Sequence, residues 1–288
     1  MLTRMFTRVG LSTLGAVIVL LSVVASGYMQ SSSHVYLPIV RAQSVVAADD
    51  AQDVTAARVR PTIILVHGAW ADGTGWQHVI PLLEDDGYTV IAVQNPLSSL
   101  TTDVATTKRV IDAESAKGPV IVVGHSYGGA VITGAAAGNP NVKALVYISA
   151  FAPDAGEPVG AYLGQYPTEL GTAFVADAAG FLYLDRAKFR DIFAKDVDKT
   201  EASVMAAAQK PAFGGIFSQS VPVAAWSTIP AWYIVATQDK ALSPDMERFY
   251  ANRMHAQITE IKSSHVPFIS QPKEVVKVIE KAAKATVQ

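Results

Sequence analysis

From Arg60 onward, short runs that are apolar throughout take turns with longer runs of amphipathic character. The apolar runs are "TIILVH" at 62–67, "YTVIAV" at 88–93, "PVIVVG" at 119–124, "KALVYIS" at 143–149 and "AWYIVA" at 231–236. Between them lie "GWQHVIPLLEDDG" and "DVATTKRVIDAESAKG", then the small-residue segment after Ser126, all read as helices. A strand with no polar alternation is one buried on both faces, and such strands belong to parallel sheets whose crossover helices cover both sides. The pattern predicts an α/β domain, a mostly parallel sheet with right-handed crossovers. Further on, "SPDMERFYANRM" reads as a helix with Ser243 as N-cap and Pro244 in its first turn, "QITEI" as a short strand, and "QPKEVVKVIEKAAKA" as a closing helix.

The alternation stops at "FAPDAG" and resumes near Ala231, so residues 153–230 are expected to be an insertion. Within it "DRAKFRDIFAKDVDKTEASVMAAAQ" reads as helical, and the simplest placement is a helical cap over one end of the sheet.

At 288 residues, half of them apolar, the chain can bury one large core. Its net charge of −2 gives no basic patch for nucleic acid, and with no cysteine, disulfides and cysteine-ligated zinc are excluded. Ahead of the domain, Arg4 and Arg8 precede an apolar run from Leu14 to Ala25 and a small-x-small site at Ala25–Gly27. That layout predicts a signal peptide over residues 1–27, with an uncleaved membrane anchor as the alternative, since Val9 to Met29 carries no charge. In both cases the domain is expected outside the cytoplasm, exported and tethered at most by its N-terminus. Residues 28–59 read as a flexible linker and 60–288 as the folded domain.

"GHSYGG" at 124–129 places Ser126 between a buried strand and a helix. A glycine-flanked serine also fits an ordinary tight turn that caps a helix. A sharp turn leaving the carboxyl edge of a sheet, however, lifts the serine above that edge as a nucleophile. A serine hydroxyl needs a base, and the base needs a carboxylate, in the chain order serine, acid, histidine. His255 and His265 follow Ser126. His255 ends a helix, where histidines interact with terminal carbonyls, whereas His265 lies in the loop after the last short strand and is the expected base. Asp239, in the loop after "AWYIVA", is the expected acid; Asp154 after the preceding strand is its rival, and Asp245 sits in a helix first turn. For the oxyanion, the amides of Tyr127 and Ala69 are expected donors, and His67 is expected to hold the loop that carries Ala69.

At these residues the chain resembles the α/β-hydrolase superfamily over about residues 60–285. "ILVHGAW", "GHSYGG", "YIVATQD" and "SSHVPF" are similar to the branch containing plant methylesterases, hydroxynitrile lyases and bacterial carboxylesterases. The resemblance implies a Ser126–Asp239–His265 triad, an oxyanion hole from Ala69 and Tyr127, and neither metal nor organic cofactor. Lyases of this branch carry threonine after the first-strand histidine and lysine after the catalytic one. Here those positions hold Gly68 and Val266, so ester hydrolysis is expected over cyanohydrin cleavage. Cofactor-free haloperoxidases share the triad and stay open as an alternative, as does a non-catalytic ligand-binding member of the fold.

Aromatic residues of the insertion, among them Tyr162, Tyr166, Phe174, Phe181, Phe213, Phe217 and Trp226, either roof a substrate pocket or pack the insertion's own core. The expected partner is a small neutral ester with an apolar acyl or alcohol group.

Overall fold

The computed structural model describes residues 60–287; the expected signal peptide or anchor and the linker lie outside the described residues. Among the described residues no helix is long and apolar enough to cross a membrane. Strands form at each apolar run: β1 (Thr62–Val66), β2 (Val90–Val93), β3 (Val120–His125) and β4 (Val142–Ile148). The insertion contributes β5 (Phe174–Ala176), β6 (Phe181–Leu184) and β7 (Ala212–Phe213), and the chain returns with β8 (Ala231–Ala236) and β9 (Gln257–Ile261).

Six strands make the main sheet in the order β2-β1-β3-β4-β8-β9, and each neighbouring pair is parallel. Every residue of β3 and β8 is buried, while the edge strands β2 and β9 are partly open. That gradient is what central strands covered on both faces require. The chain steps from β1 outward to β2, then back across β1 to β3 and on to β9. The loops leaving β1 and β3 therefore diverge at a topological switch point, where a crevice opens beyond the strands' carboxyl ends.

The helices are α1 (Ile80–Asp85), α2 (Leu100–Ser115), α3 (Tyr127–Ala135), α4 (Arg186–Phe193), α5 (Lys199–Ala207), α6 (Pro244–Arg253), α7 (Pro267–Ser270) and α8 (Pro272–Thr286). The segment expected as one helix from Gly75 is instead a 3₁₀ turn, Gly73–Trp76, followed by α1, with Pro81 in the first turn of α1 where its missing N–H costs nothing. Helix α2 begins three residues ahead of the expected start, because the Ser99 side chain accepts from Thr102 N and caps it there. Ser243 caps α6 as expected, accepting from Asp245 N. Helices α2 and α3 pack together over β1 and β3, whereas α8 lies along β3, β4 and β8 with α1 and α7 beside it.

The insertion is helical and also carries strands. Antiparallel pairing of β5 with β6 and β6 with β7 makes a small second sheet. The expected long helix divides into α4 and α5 because Asp198 caps a new start, accepting from Thr200 N and Glu201 N. The insertion is fastened to the body by Arg253. Its guanidinium donates to both carboxylate oxygens of Glu157 (3.0 and 2.8 Å) and to the carbonyl of Ala152 (2.6 Å). The same group lies 5.1–5.7 Å from the ring centroids of Tyr162, Trp226, Phe249 and Tyr250. Tyr166 leans on Phe249 at 6.1 Å, and Tyr162, Tyr166 and Trp226 thus serve packing, the second of the two roles open to them.

Candidate active site

Strand β3 ends at His125, and the next residue turns hard. Ser126 adopts φ +53° and ψ −123°, a backbone conformation that L-residues rarely hold, costing about 1–3 kcal/mol. Its neighbours impose it: the Ser126 amide donates to Ile148 O (3.1 Å), and its carbonyl accepts from Gly129 N and Phe151 N (3.0 and 3.1 Å). The flanking glycines are demanded by proximity. A Cβ on Gly124 would stand 2.6 Å from Gly128 O, and one on Gly128 would stand 2.5 Å from Val66 O. The loop after β1 comes equally close, since a Cβ on Gly68 would lie 2.8 Å from Ser126 Cβ. The segment carrying Ala69 is therefore pressed against the turn carrying Ser126.

His67 secures that loop. Its Nδ1–H donates to Gly68 O (2.9 Å), and its Nε2 accepts from Asn95 N (3.0 Å). Burial holds the ring's pKa down to about 4, so it is neutral in this role. Trp70, two residues past Gly68, takes φ +59° and donates from Nε1 to Leu182 O (2.9 Å), linking the loop to the insertion. At the start of α3, the Tyr127 side chain is buried and its hydroxyl donates to Asp103 Oδ2 (2.8 Å). Asp103 also accepts from Leu97 N (2.9 Å). Burial and the Asp103 carboxylate push the phenol upward, so the ring stays a neutral donor to Asp103.

Strands β8 and β9 deliver the remaining groups to the same carboxyl edge. Asp239 follows β8 and is buried; its Oδ1 accepts from Ala241 N (2.6 Å) and Leu242 N (3.0 Å). Its Oδ2 meets Nδ1 of His265 at 2.5 Å, a buried contact between partners 26 residues apart. The carbonyl of His265 accepts from Nε2–H of His125 (2.9 Å), which ties the loop of His265 to the residue before Ser126. The His265 ring stands 4.7 Å from both His125 and Phe193, centroid to centroid. Ser264 hydrogen-bonds Asp196 of the insertion. Among the described residues Ser126 Oγ is not a hydrogen-bond partner of His265, whose bonds are those to Asp239 and His125.

The rival residues are placed elsewhere. Asp154 is exposed in a turn, accepting from Ala155 N, and Asp245 is exposed and paired with Arg248. His255 is exposed at the end of α6. Three groups near the site were not singled out by sequence reasoning: His125, Phe193 and Glu247. Glu247 is wholly buried with Oε2 accepting from Ala236 N (2.9 Å). Its signal was a glutamate in register with Met246, Tyr250 and Ala251 on the buried stripe of α6. No three His, Cys, Asp or Glu side chains gather as metal ligands would among the described residues.

Beside the site, a cavity of about 200 Å³ lies between the loop after β1, the two insertion helices and α7. Trp70, Phe189, Phe193, Met205, Val266 and Phe268 line it, with Asp72 and Glu201 among its polar groups. Phe174 and Phe217 lean on Trp70 at 5.6 and 6.3 Å. These two do approach the site, whereas Phe181 and Phe213 pair with each other inside the insertion.

This geometry has relatives. A probable hydrolase of Phoma sp. is 25% identical over 243 residues, which span 78% of this chain and 98% of that protein. A pyrethroid hydrolase of Sphingobium wenxiniae is 27% identical over 257 residues, covering 75% of this chain and 85% of its own. The solved structure of polyneuridine aldehyde esterase superposes with a TM-score of 0.69 over 77% of this chain and 99% of that one; at 19% identity the likeness speaks to the fold alone. The model of the alpha/beta hydrolase family matches residues 63–278, three quarters of the sequence and all six strands of the main sheet, and the chain belongs to that family.

Proposed function

We propose that the protein is a serine hydrolase acting on neutral carboxylic esters through an acyl-enzyme. The observation that carries this reading is the backbone of Ser126, held at φ +53° on the turn from β3 to α3, at the edge to which β8 and β9 bring the Asp239–His265 pair. In this reading His265 takes the proton of Ser126 as its Oγ attacks the ester carbonyl, and Asp239 fixes the imidazole by holding Nδ1–H and stabilises the imidazolium. Proton transfer requires Oγ and Nε2 to close up on a bound substrate, as catalytic hydrogen bonds commonly do. The amides of Ala69 and Tyr127 receive the oxyanion. His265 then gives its proton to the departing alcohol, and water repeats the sequence on the acyl group to release the acid.

The neighbouring cavity supports an apolar group on the substrate, since its walls are aromatic and aliphatic. Two relatives, named as a probable hydrolase and a pyrethroid hydrolase, are consistent with this reading. The test is Ser126→Ala assayed on chromogenic esters of graded acyl length, with labelling by a fluorophosphonate. Turnover and labelling are expected to vanish together while the circular dichroism spectrum stays unchanged. Retained turnover overturns the assignment.

A further inference from the structure

We propose that Glu247 is a positioning residue for the Asp239–His265 pair and acts as a carboxylic acid that keeps its proton. The proposal rests on the reading of Asp239 and His265 as acid and base. Helix α6 lies against β8 and turns Met246, Glu247, Tyr250 and Ala251 into the core. Glu247 arrives there with no exposure to solvent. Its Oε2 accepts from Ala236 N, the last residue of β8, three residues ahead of Asp239. Its Oε1 is fully buried and receives no N–H or O–H donor among the described residues. Asp239 is the carboxyl neighbour whose charge acts on Glu247, and the unpartnered Oε1 is the oxygen left to meet it.

Two carboxyl groups can hydrogen-bond only if one of them carries a proton. The distribution of donors decides which. Asp239 already accepts from three N–H groups, of Ala241, Leu242 and His265, and is the acceptor of the pair. Glu247 takes one. The proton therefore belongs on Glu247, which donates it to Asp239 and supplies a fourth bond to that carboxylate. Burial and the charge of Asp239 both push Glu247 well above the usual carboxylate range. The cation acting on it, Arg248, is occupied at the surface by Glu260 and Asp245. The hydroxyl of Tyr233 is engaged with Ala150.

Held this way, Asp239 cannot swing away from His265, and the pair of carboxyls carries one negative charge and not two. Nothing in the role needs Glu247 to touch substrate, so its removal should lower kcat and leave KM in place. The comparison uses the folded protein and three variants, Ser126→Ala, Glu247→Gln and Glu247→Leu, on one chromogenic ester. Glu247→Leu, which can neither accept from Ala236 N nor donate to Asp239, is expected to lose about 10- to 100-fold in kcat. Glu247→Gln has an acceptor and a donor of the same reach and should restore kcat to within about threefold.

Difference infrared spectra at pH 7 between the unaltered protein and Glu247→Gln should show the C=O stretch of a protonated carboxylic acid that the variant lacks. An unchanged kcat in Glu247→Leu, a Gln variant as impaired as the Leu variant, or no protonated-acid band each overturns the proposal. If Glu247→Leu does not fold, the infrared band and the Gln kinetics decide. Turnover that survives in Ser126→Ala defeats the triad reading itself, and this separates the two failures.

Discussion

The imidazole of His125 donates from Nε2 to the backbone carbonyl of His265 at 2.9 Å, bridging 140 residues of chain. Burial holds this ring well below its ordinary pKa, so it is neutral, and its Nδ1 is left without a partner. One hydrogen bond thus fixes the loop that carries the proposed base to the strand that carries the proposed nucleophile. His125→Leu, similar in bulk and without a donor, leaves the His265 carbonyl unpaired in a dry site. We expect a loss of about 1–3 kcal/mol in urea unfolding together with a lower kcat at nearly constant KM. Equal unfolding midpoints for the two proteins would count against a fastening role.

Backbone strain at Ser126 gives a second test that does not depend on chemistry. Both Ser126→Ala and Ser126→Gly remove the hydroxyl and should be inactive, but only glycine relaxes at φ +53°. Relief of about 1–3 kcal/mol of strain is offset by about 0.4–1 kcal/mol from glycine's freer unfolded chain. The Gly variant is expected to be more stable than the Ala variant by about 1 kcal/mol, read by thermal or urea melts. A less stable Gly variant would mean that the turn is not strained.

Much of this arrangement is legible in the amino-acid sequence. Five of the six main-sheet strands coincide with apolar runs, because a strand covered by helices has no polar register to hide it; the edge strand β9 carries Gln257, Thr259 and Glu260 instead. Once the sheet is parallel, loops after strands fall on one edge, and Asp239 and His265 share that edge for the same reason. The insertion was less readable. Strands such as Ala212–Phe213 are too short to show a period, and their pairing is settled by neighbours distant in sequence. The break between α4 and α5 did leave a trace, Asp198 followed by Glu201, the spacing of a helix start. Phe193 could not be singled out among the insertion's aromatics, since which ring meets His265 depends on how α4 lies across the sheet edge.

Close packing around the serine turn predicts a sharp contrast between two glycines. Gly128→Ala places a methyl 2.5 Å from Val66 O and 2.7 Å from His67 O, both backbone atoms of a buried strand end that cannot yield without moving the loop of Ala69. A loss of about 2 kcal/mol or more and a collapse of esterase rate are expected. Gly118→Ala meets nothing within 4 Å and serves as the control, with a change within about 0.5 kcal/mol. Similar melting points for the two variants would show that the approach of the two loops is looser than described.

His67 predicts how stability responds to acid. Its folded pKa of about 4 lies below its ordinary 6.5, so between those values the unfolded chain binds the proton and the folded one does not. Stability from this residue is fully present above pH 6.5 and is lost as pH falls toward 4, by roughly 3 kcal/mol in all. His125, depressed in the same direction by burial and by His265, adds to the decline. In His67→Gln the amide oxygen still accepts from Asn95 N but nothing titrates. The unfolding free energies of the two proteins, measured in urea from pH 7 to 4, should therefore converge as the buffer is acidified. A gap that stays constant across that range would mean that folded His67 takes up a proton as readily as the unfolded residue does, and the buried neutral ring that accepts from Asn95 N would have to be abandoned.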